Sequence, residues 1–247
     1  MTDPELPEGV VLVRIGRDDV RNAIDSEAAK RLHSAFIAFD ADPSAKVAVL
    51  TGDETAFSSG ADLRNLPRLR ASGPLGPTRL QLTKPVIAAI EGWCVAGGVE
   101  LAAWCDLRVA GRSARMGCLE RRWGVPLMDG GTYRLPQIIG LGRALDLILT
   151  GRVIGAEEAE RMGFLSRVVP DGEALVTAIE LAGEIASFPW RAVVNDRMSV
   201  YKGLGRELEA ALLLEDEIGK DTIFAEGFRS GVDRFVERQK DRRSADC

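Results

Sequence analysis

The sequence predicts an α/β fold: stacked βα or ββα units around a mostly parallel sheet, followed by a region that is almost wholly helical. Three observations carry this. Short apolar runs of strand length recur at Val47-Ala48-Val49-Leu50, Val86-Ile87-Ala88-Ala89-Ile90 and Leu107-Arg108-Val109-Ala110, and runs without polar alternation suit strands buried on both faces. Segments of helical period lie between them, as in Ala29, Leu32, Phe36 and Phe39. From Glu173 onward the pattern is helical, interrupted near Phe188-Pro189 and at Lys202-Gly203-Leu204-Gly205.

Taken in order, residues 10–15 form a first strand, ended by Gly16-Arg17-Asp18-Asp19. Asp25 or Ser26 caps a helix whose buried stripe is Ala29, Leu32, Phe36 and Phe39. His33, one position off that stripe, reads as a partly exposed helix residue. Asp42-Pro43 stops the helix, and the strand at 47–50 leads into a glycine turn, Phe57-Ser58-Ser59-Gly60-Ala61-Asp62-Leu63. Between Asn65 and Leu80, three prolines, two glycines and three arginines predict a loop, either covering a pocket or running over the surface.

Lys84-Pro85 opens the strand at 86–90, and the strand at 107–110 follows the next helix. Asp129-Gly130-Gly131-Thr132 precedes a helix containing Leu135, Ile138 and Ile139, and residues 143–150 form another. The segment 155–163 is a short helix closed by Gly163, and the strand at 165–169 is stopped by Pro170. A boundary at Pro189 divides a core, 1–188, from C-terminal helices, 189–247. Apolar faces beyond it (Leu208, Ala211, Leu212; Phe224, Phe228, Val232, Phe235) exceed what a short appendage buries alone, which predicts a partner subunit.

The 247 residues suffice for one domain, or one domain with a helical appendage. A hydrophobic content of 46% and a charged content of 28% are those of a soluble globular chain. The net charge of −5 leaves no basic excess for nucleic acid. The N-terminal residues lack the charged and apolar regions of a secretory signal, and no apolar run approaches the roughly 18 residues of a membrane span, so a cytoplasmic location is expected. Cys94, Cys105, Cys118 and Cys247 show no metal-site spacing, and no metal is expected.

The chemistry centres on Ala96-Gly97-Gly98-Val99-Glu100, where adjacent glycines open a helix and a carboxylate follows in its first turn. Such a turn aims free N–H groups at a substrate oxygen and hangs an acid beside them. A second acid, Glu120, follows 20 residues later, and the Phe57 to Leu63 segment supplies a second glycine turn upstream. Two N–H clusters and two acids point to enolate chemistry. For Glu120, a solvated salt-bridge partner of Arg121 or Arg122 is a rival reading.

Together, Ala56-Phe57-Ser58-Ser59-Gly60-Ala61-Asp62-Leu63, Lys84-Pro85-Val86-Ile87-Ala88-Ala89, Ala96-Gly97-Gly98-Val99-Glu100-Leu101-Ala102, Cys105-Asp106-Leu107-Arg108, Gly131-Thr132-Tyr133-Arg134-Leu135-Pro136 and Leu149-Thr150-Gly151-Arg152 resemble the crotonase (enoyl-CoA hydratase/isomerase) family. The order and spacing of these motifs carry the resemblance. So does Phe228-Arg229-Ser230-Gly231-Val232-Asp233-Arg234-Phe235, which looks like the family's terminal helix.

The resemblance implies a ββα spiral core, C-terminal helices that mediate a homotrimer or homohexamer, and an acyl-CoA thioester substrate, with no cofactor beyond the CoA that it carries. It assigns the oxyanion hole to the N–H groups of Ala61 and Gly97. Glu100 would assist the water and Glu120 would exchange the proton at Cα, an arrangement that favours hydration over isomerisation. Ala61, Asp62, Leu63 and Arg64 would border the CoA, with Arg21 a second phosphate contact; exposed surface is the bland reading of both arginines. Trp93 and Trp123 would pack in the core or, less favoured, line the acyl tunnel.

One departure stands out: where hydratases carry Pro-Gly-Ala-Gly-Gly-Thr, this chain has Leu127-Met128-Asp129-Gly130-Gly131-Thr132. Asp129 is open to two readings, a third carboxylate for proton shuttling as in dienoyl-CoA isomerases of the family, or an N-cap for the next helix. The leading expectation is reversible addition of water to a 2-enoyl-CoA. The alternatives are enoyl- or dienoyl-CoA isomerisation by Glu120 or Asp129, and acyl-CoA binding without chemistry. A serine peptidase on a related spiral fold lacks a base, since His33 is the sole histidine and stands in no catalytic context.

Overall fold

The first strand, β1 (Val10–Arg14), enters a helix through Asp25, whose carboxylate accepts the N–H groups of Glu27 and Ala28 at 3.1 and 2.8 Å. That helix, α1 (Ser26–Ala41), buries Ala28, Ala29, Leu32, Phe36 and Phe39. It stops because Pro43 forces Asp42 out of the helical region, to φ −78° and ψ 112°. Buried Lys84 then donates to the Phe39 carbonyl at 3.0 Å, satisfying one of the helix's last acceptors. The computed structural model describes residues 4–245, so Cys247 lies outside the described residues.

The chain continues through β2 (Val47–Thr51), β3 (Ala56–Ser58), β4 (Val86–Ile90), β5 (Trp93–Val95) and α2 (Gly97–Trp104). Next come β6 (Leu107–Gly111), β7 (Arg115–Gly117) and a 3-10 helix, Leu119–Trp123. Then follow α3 (Gly131–Ile139), α4 (Leu141–Thr150), β8 (Ile154–Gly155), α5 (Ala156–Met162), β9 (Arg167–Val169) and α6 (Ala174–Ser187). Among the described residues the strands make two sheets. One is parallel throughout, in the order β1-β2-β4-β6-β9; the other runs β3-β5-β7-β8, with only its last pair antiparallel.

Each of the pairs β2/β3, β4/β5 and β6/β7 adds one strand to each sheet. This is the ββα arrangement expected from the sequence. Residues of β2 and β4 are buried throughout, as their unbroken apolar runs require.

The chain divides into two compact units, Met1–Gly183 and Glu184–Cys247. The division falls inside α6, ahead of Pro189, although the helix break at Phe188-Pro189 is present between α6 and α7 (Trp190–Gly203). The second unit also holds α8 (Leu208–Ile223) and α9 (Glu226–Ala245). Buried Asn195 of α7 ties it to α8, donating to Asp221 Oδ2 and Thr222 Oγ1, each at 2.8 Å. No helix among the described residues is long and apolar enough to cross a membrane.

One open reading is decided and one expectation is corrected. The segment from Gly73 to Thr78 is buried and is no surface excursion, because Gly76, at φ +104°, lays its backbone against the Ala29 carbonyl of α1 where a Cβ would collide. Trp93 and Trp123 are not core residues: they are 39% and 73% exposed, one at the start of the three-residue β5 and one at the end of the 3-10 helix.

Candidate active site

The first glycine turn follows β3. Ser58 Oγ donates to the Asn22 carbonyl and accepts the Gly60 N–H, at 2.8 and 3.1 Å. Ile24 N–H donates to Gly60 O and Asp62 N–H to Ile24 O, fixing the residues on either side of Ala61. The Asp62 carboxylate is occupied by Arg17 Nη1 and by the Arg64 N–H, both at 3.0 Å. The Ala61 N–H is left without an acceptor among the described residues.

The second turn enters α2 through Ala96, whose φ of 53° and ψ of −126° no L side chain adopts without strain. Its N–H is held by Gly117 O at 2.8 Å. Gly98 lies against the Ser58 carbonyl with no room for a Cβ. Gly97, the first residue of the helix, has an N–H with no intrahelical partner and no acceptor among the described residues. The two turns adjoin: a Cβ built on Gly97 would lie 3.2 Å from Gly60 Cα and 3.5 Å from Ala61 N. The structure thus brings the Ala61 and Gly97 donors together.

Glu100, one turn into α2, is 3% exposed. Its Oε1 accepts two backbone N–H groups, from Asp129 at 2.9 Å and Gly131 at 2.8 Å, so it holds the entrance of α3. Burial pushes its pKa up to about 7, with the charges of Asp129 and Glu120 adding to the rise and the two N–H bonds opposing it. Glu120, on the 3-10 helix, is 5% exposed, and neither carboxyl oxygen has a hydrogen-bond partner. Burial raises its pKa as well. The salt-bridge reading of Glu120 is thereby overturned, because the helix points its neighbours Arg121 and Arg122 at the carbonyls of Ile148 and Gly151 instead.

Asp129 is not an N-cap. Gly130 takes that position at α3 without a side-chain bond, and the Asp129 carboxylate turns away to accept the Leu75 N–H at 3.0 Å and the Thr78 hydroxyl. Burial raises the pKa of Asp129, with those two bonds opposing. Leu75 and Thr78 are the residues that sequence reasoning missed; both sit in the segment read as loop, where composition gives no sign of burial.

Arg21 and Leu63 are exposed beside the first turn, the Arg21 carbonyl accepting the Ser59 N–H at 3.0 Å, and Arg64 is exposed one residue beyond Leu63. Met128 borders the site with its carbonyl on Arg79 Nη2 at 2.7 Å. Cys94, Cys105 and Cys118 are buried free thiols, and burial pushes the Cys118 thiol up to about 12. None is positioned as a nucleophile.

The family described as enoyl-CoA hydratase/isomerase matches residues 5–243. Enoyl-CoA hydratase EchA19 of Mycobacterium tuberculosis is 34% identical over 241 residues, covering 93% of this chain and 91% of that protein. The short-chain-enoyl-CoA hydratase of Clostridium acetobutylicum is also 34% identical over 241 residues, covering 94% and 92%. A crystal structure of an enoyl-CoA hydratase from Mycobacterium tuberculosis superposes with a TM-score of 0.90 at 32% identity, covering 95% of this chain and 94% of that one. Sequence motifs, sheet topology and these relatives agree, and the chain belongs to the enoyl-CoA hydratase/isomerase, or crotonase, family.

Proposed function

We propose that the protein is an enoyl-CoA hydratase, adding water reversibly across the 2,3 double bond of an enoyl-CoA thioester. The observation that carries this reading is the pair of acceptor-free N–H groups on adjoining turns, Ala61 and Gly97, with Glu100 one turn beyond Gly97 and the buried, unpartnered carboxyl group of Glu120 close enough to Glu100 for its charge to act there. Those N–H groups bind the thioester carbonyl oxygen as it gains negative charge, where losing one donor typically costs about 2.7–4 kcal/mol. Glu100 orients the water, whose hydroxyl bonds to C3. Glu120 delivers a proton to C2, and the water's other proton returns the carboxylates to their starting state. No cofactor takes part beyond the CoA of the substrate, which the 61–64 backbone and Arg21 border.

Turnover of crotonyl-CoA in H2¹⁸O tests this. One ¹⁸O in the 3-hydroxyacyl product is expected. An alkene shift without ¹⁸O places the activity with the isomerases, and binding without turnover across a chain-length panel leaves an acyl-CoA carrier.

The reading includes a homotrimer or homohexamer. Phe224 is 84% exposed, Leu208, Leu212 and Phe235 are also exposed, and Trp190, Phe228, Val232 and Phe235 line an apolar groove in the second unit. Apolar surface of this kind favours a protein partner. Sedimentation velocity is expected to give three or six times the 26.7 kDa of the chain; a monomer at micromolar concentration removes this part of the reading.

A further inference from the structure

The Asp129 side chain is buried and both of its described bonds run to one segment far upstream, to Leu75 N–H at 3.0 Å and to Thr78 Oγ1. The attachment is doubled on either side. Arg79 Nη2 donates to Met128 O at 2.7 Å, while Arg134 bridges the two strands of chain, Nη1 to Asp129 O at 2.9 Å and Nη2 to Thr78 O at 2.6 Å. Gly73 is fitted to the same contact, since a Cβ there would lie 2.7 Å from Asp129 Oδ1 and collide with Thr78 Oγ1.

Each end of this strap touches the site. At one end the Asp129 N–H is one of the two donors that hold Glu100 Oε1. At the other, Leu75 covers the second glycine turn, its Cδ1 lying 2.6 Å from where a Gly97 Cβ would be. The turn that hydratases carry has no acid at this position, so the strap rests on this chain's own Asp129 and Thr78.

We propose that Asp129 is a positioning residue and carries no proton in the reaction: its carboxylate straps the 73–79 segment to the turn before α3, seating Leu75 over Gly97 and holding Glu100 in place. The placement of Glu100 and Gly97 in the site rests on the function proposed above; the strap does not. An acceptor oxygen is all that the two bonds require. Asn supplies one and cannot exchange a proton, whereas Ala removes the strap altogether.

The test combines peptide-level hydrogen exchange over residues 71–80 with steady-state kinetics, on the full-length protein. Asp129→Ala is expected to speed exchange at Leu75 by about tenfold or more and to lower kcat/KM by about ten- to a hundredfold. Asp129→Asn is expected to recover most of both losses and to keep the wild-type pH profile. Thr78→Val, which leaves the acid in place and removes its hydroxyl donor, is expected to show a loss in the direction of Asp129→Ala, and Thr78→Ser to restore it.

Asp129→Asn as impaired as Asp129→Ala, with Thr78→Val near wild type, overturns the proposal and makes Asp129 a proton carrier. Unchanged exchange at 71–80 in Asp129→Ala and Thr78→Val overturns it as well. Because exchange is read without substrate, the expected exchange pattern in a protein that does not hydrate crotonyl-CoA sinks the proposed function and leaves the strap standing.

Discussion

Glu120→Gln is expected to lower kcat on a short enoyl-CoA by about 10²–10⁴-fold, the range that a well-placed general acid–base contributes. Gln matches Glu in shape, so the substitution removes the ionisable group with little change in packing. Stability gives no counter-pressure: neither carboxyl oxygen makes a hydrogen bond that Gln would forfeit. A buried polar group with no partner costs free energy, and one retained within electrostatic reach of Glu100 makes sense where substrate completes its bonding. Burial raises the Glu120 pKa, which keeps its proton available nearer neutral pH for delivery to C2. The check is kcat measured at saturating crotonyl-CoA, with thermal unfolding alongside. A variant that folds like the parent and turns over within tenfold of it would remove Glu120 from the mechanism.

How much of this was legible in the sequence depended on length and locality. The strands at 47–51 and 86–90 and the helix at 26–41 are long enough to show an unbroken apolar run or a period, and the Asp25 cap acts within three residues of itself. The second sheet was not legible, because β3, β5, β7 and β8 have two or three residues each, too few to show any pattern.

The 73–78 segment was legible as a loop but its burial was not, for a different reason. Pro and Gly mark surface turns, yet Pro74 and Pro77 have no N–H to leave unsatisfied in the interior, and Gly76 lets the backbone approach α1. The partners of Asp129 lie 51 and 54 residues away, a pairing with no local signature. The two glycine turns were readable because they need residues without a Cβ where chain meets chain.

The second large effect expected is a pH-dependent penalty carried by Glu100. Its pKa rises from an ordinary 4.5 to about 7 in the folded chain. Between those values the folded state holds a proton that the unfolded state has released, so stability falls as pH rises through this window. Below pH 4.5 both states are protonated and the penalty is absent; above pH 7 it is complete. At 1.36 kcal/mol per unit, the full penalty is about 3 kcal/mol, a large share of the roughly 5–15 kcal/mol that holds a typical domain together.

Glu100→Gln keeps an acceptor oxygen for the Asp129 and Gly131 N–H groups and cannot ionise. The gap in unfolding free energy between this variant and the parent is therefore expected to widen in the variant's favour by about 3 kcal/mol between pH 4.5 and pH 7.5, as read by urea denaturation at fixed protein concentration. Glu120 and Asp129 shift the same way and remain in parent and variant, so the widening reports Glu100 together with its charge coupling to those two acids. A gap that stays constant across the window would place the Glu100 pKa at its ordinary value. It would also remove the reason for a carboxyl poised near neutrality, where one group both accepts and returns a proton with little free-energy cost.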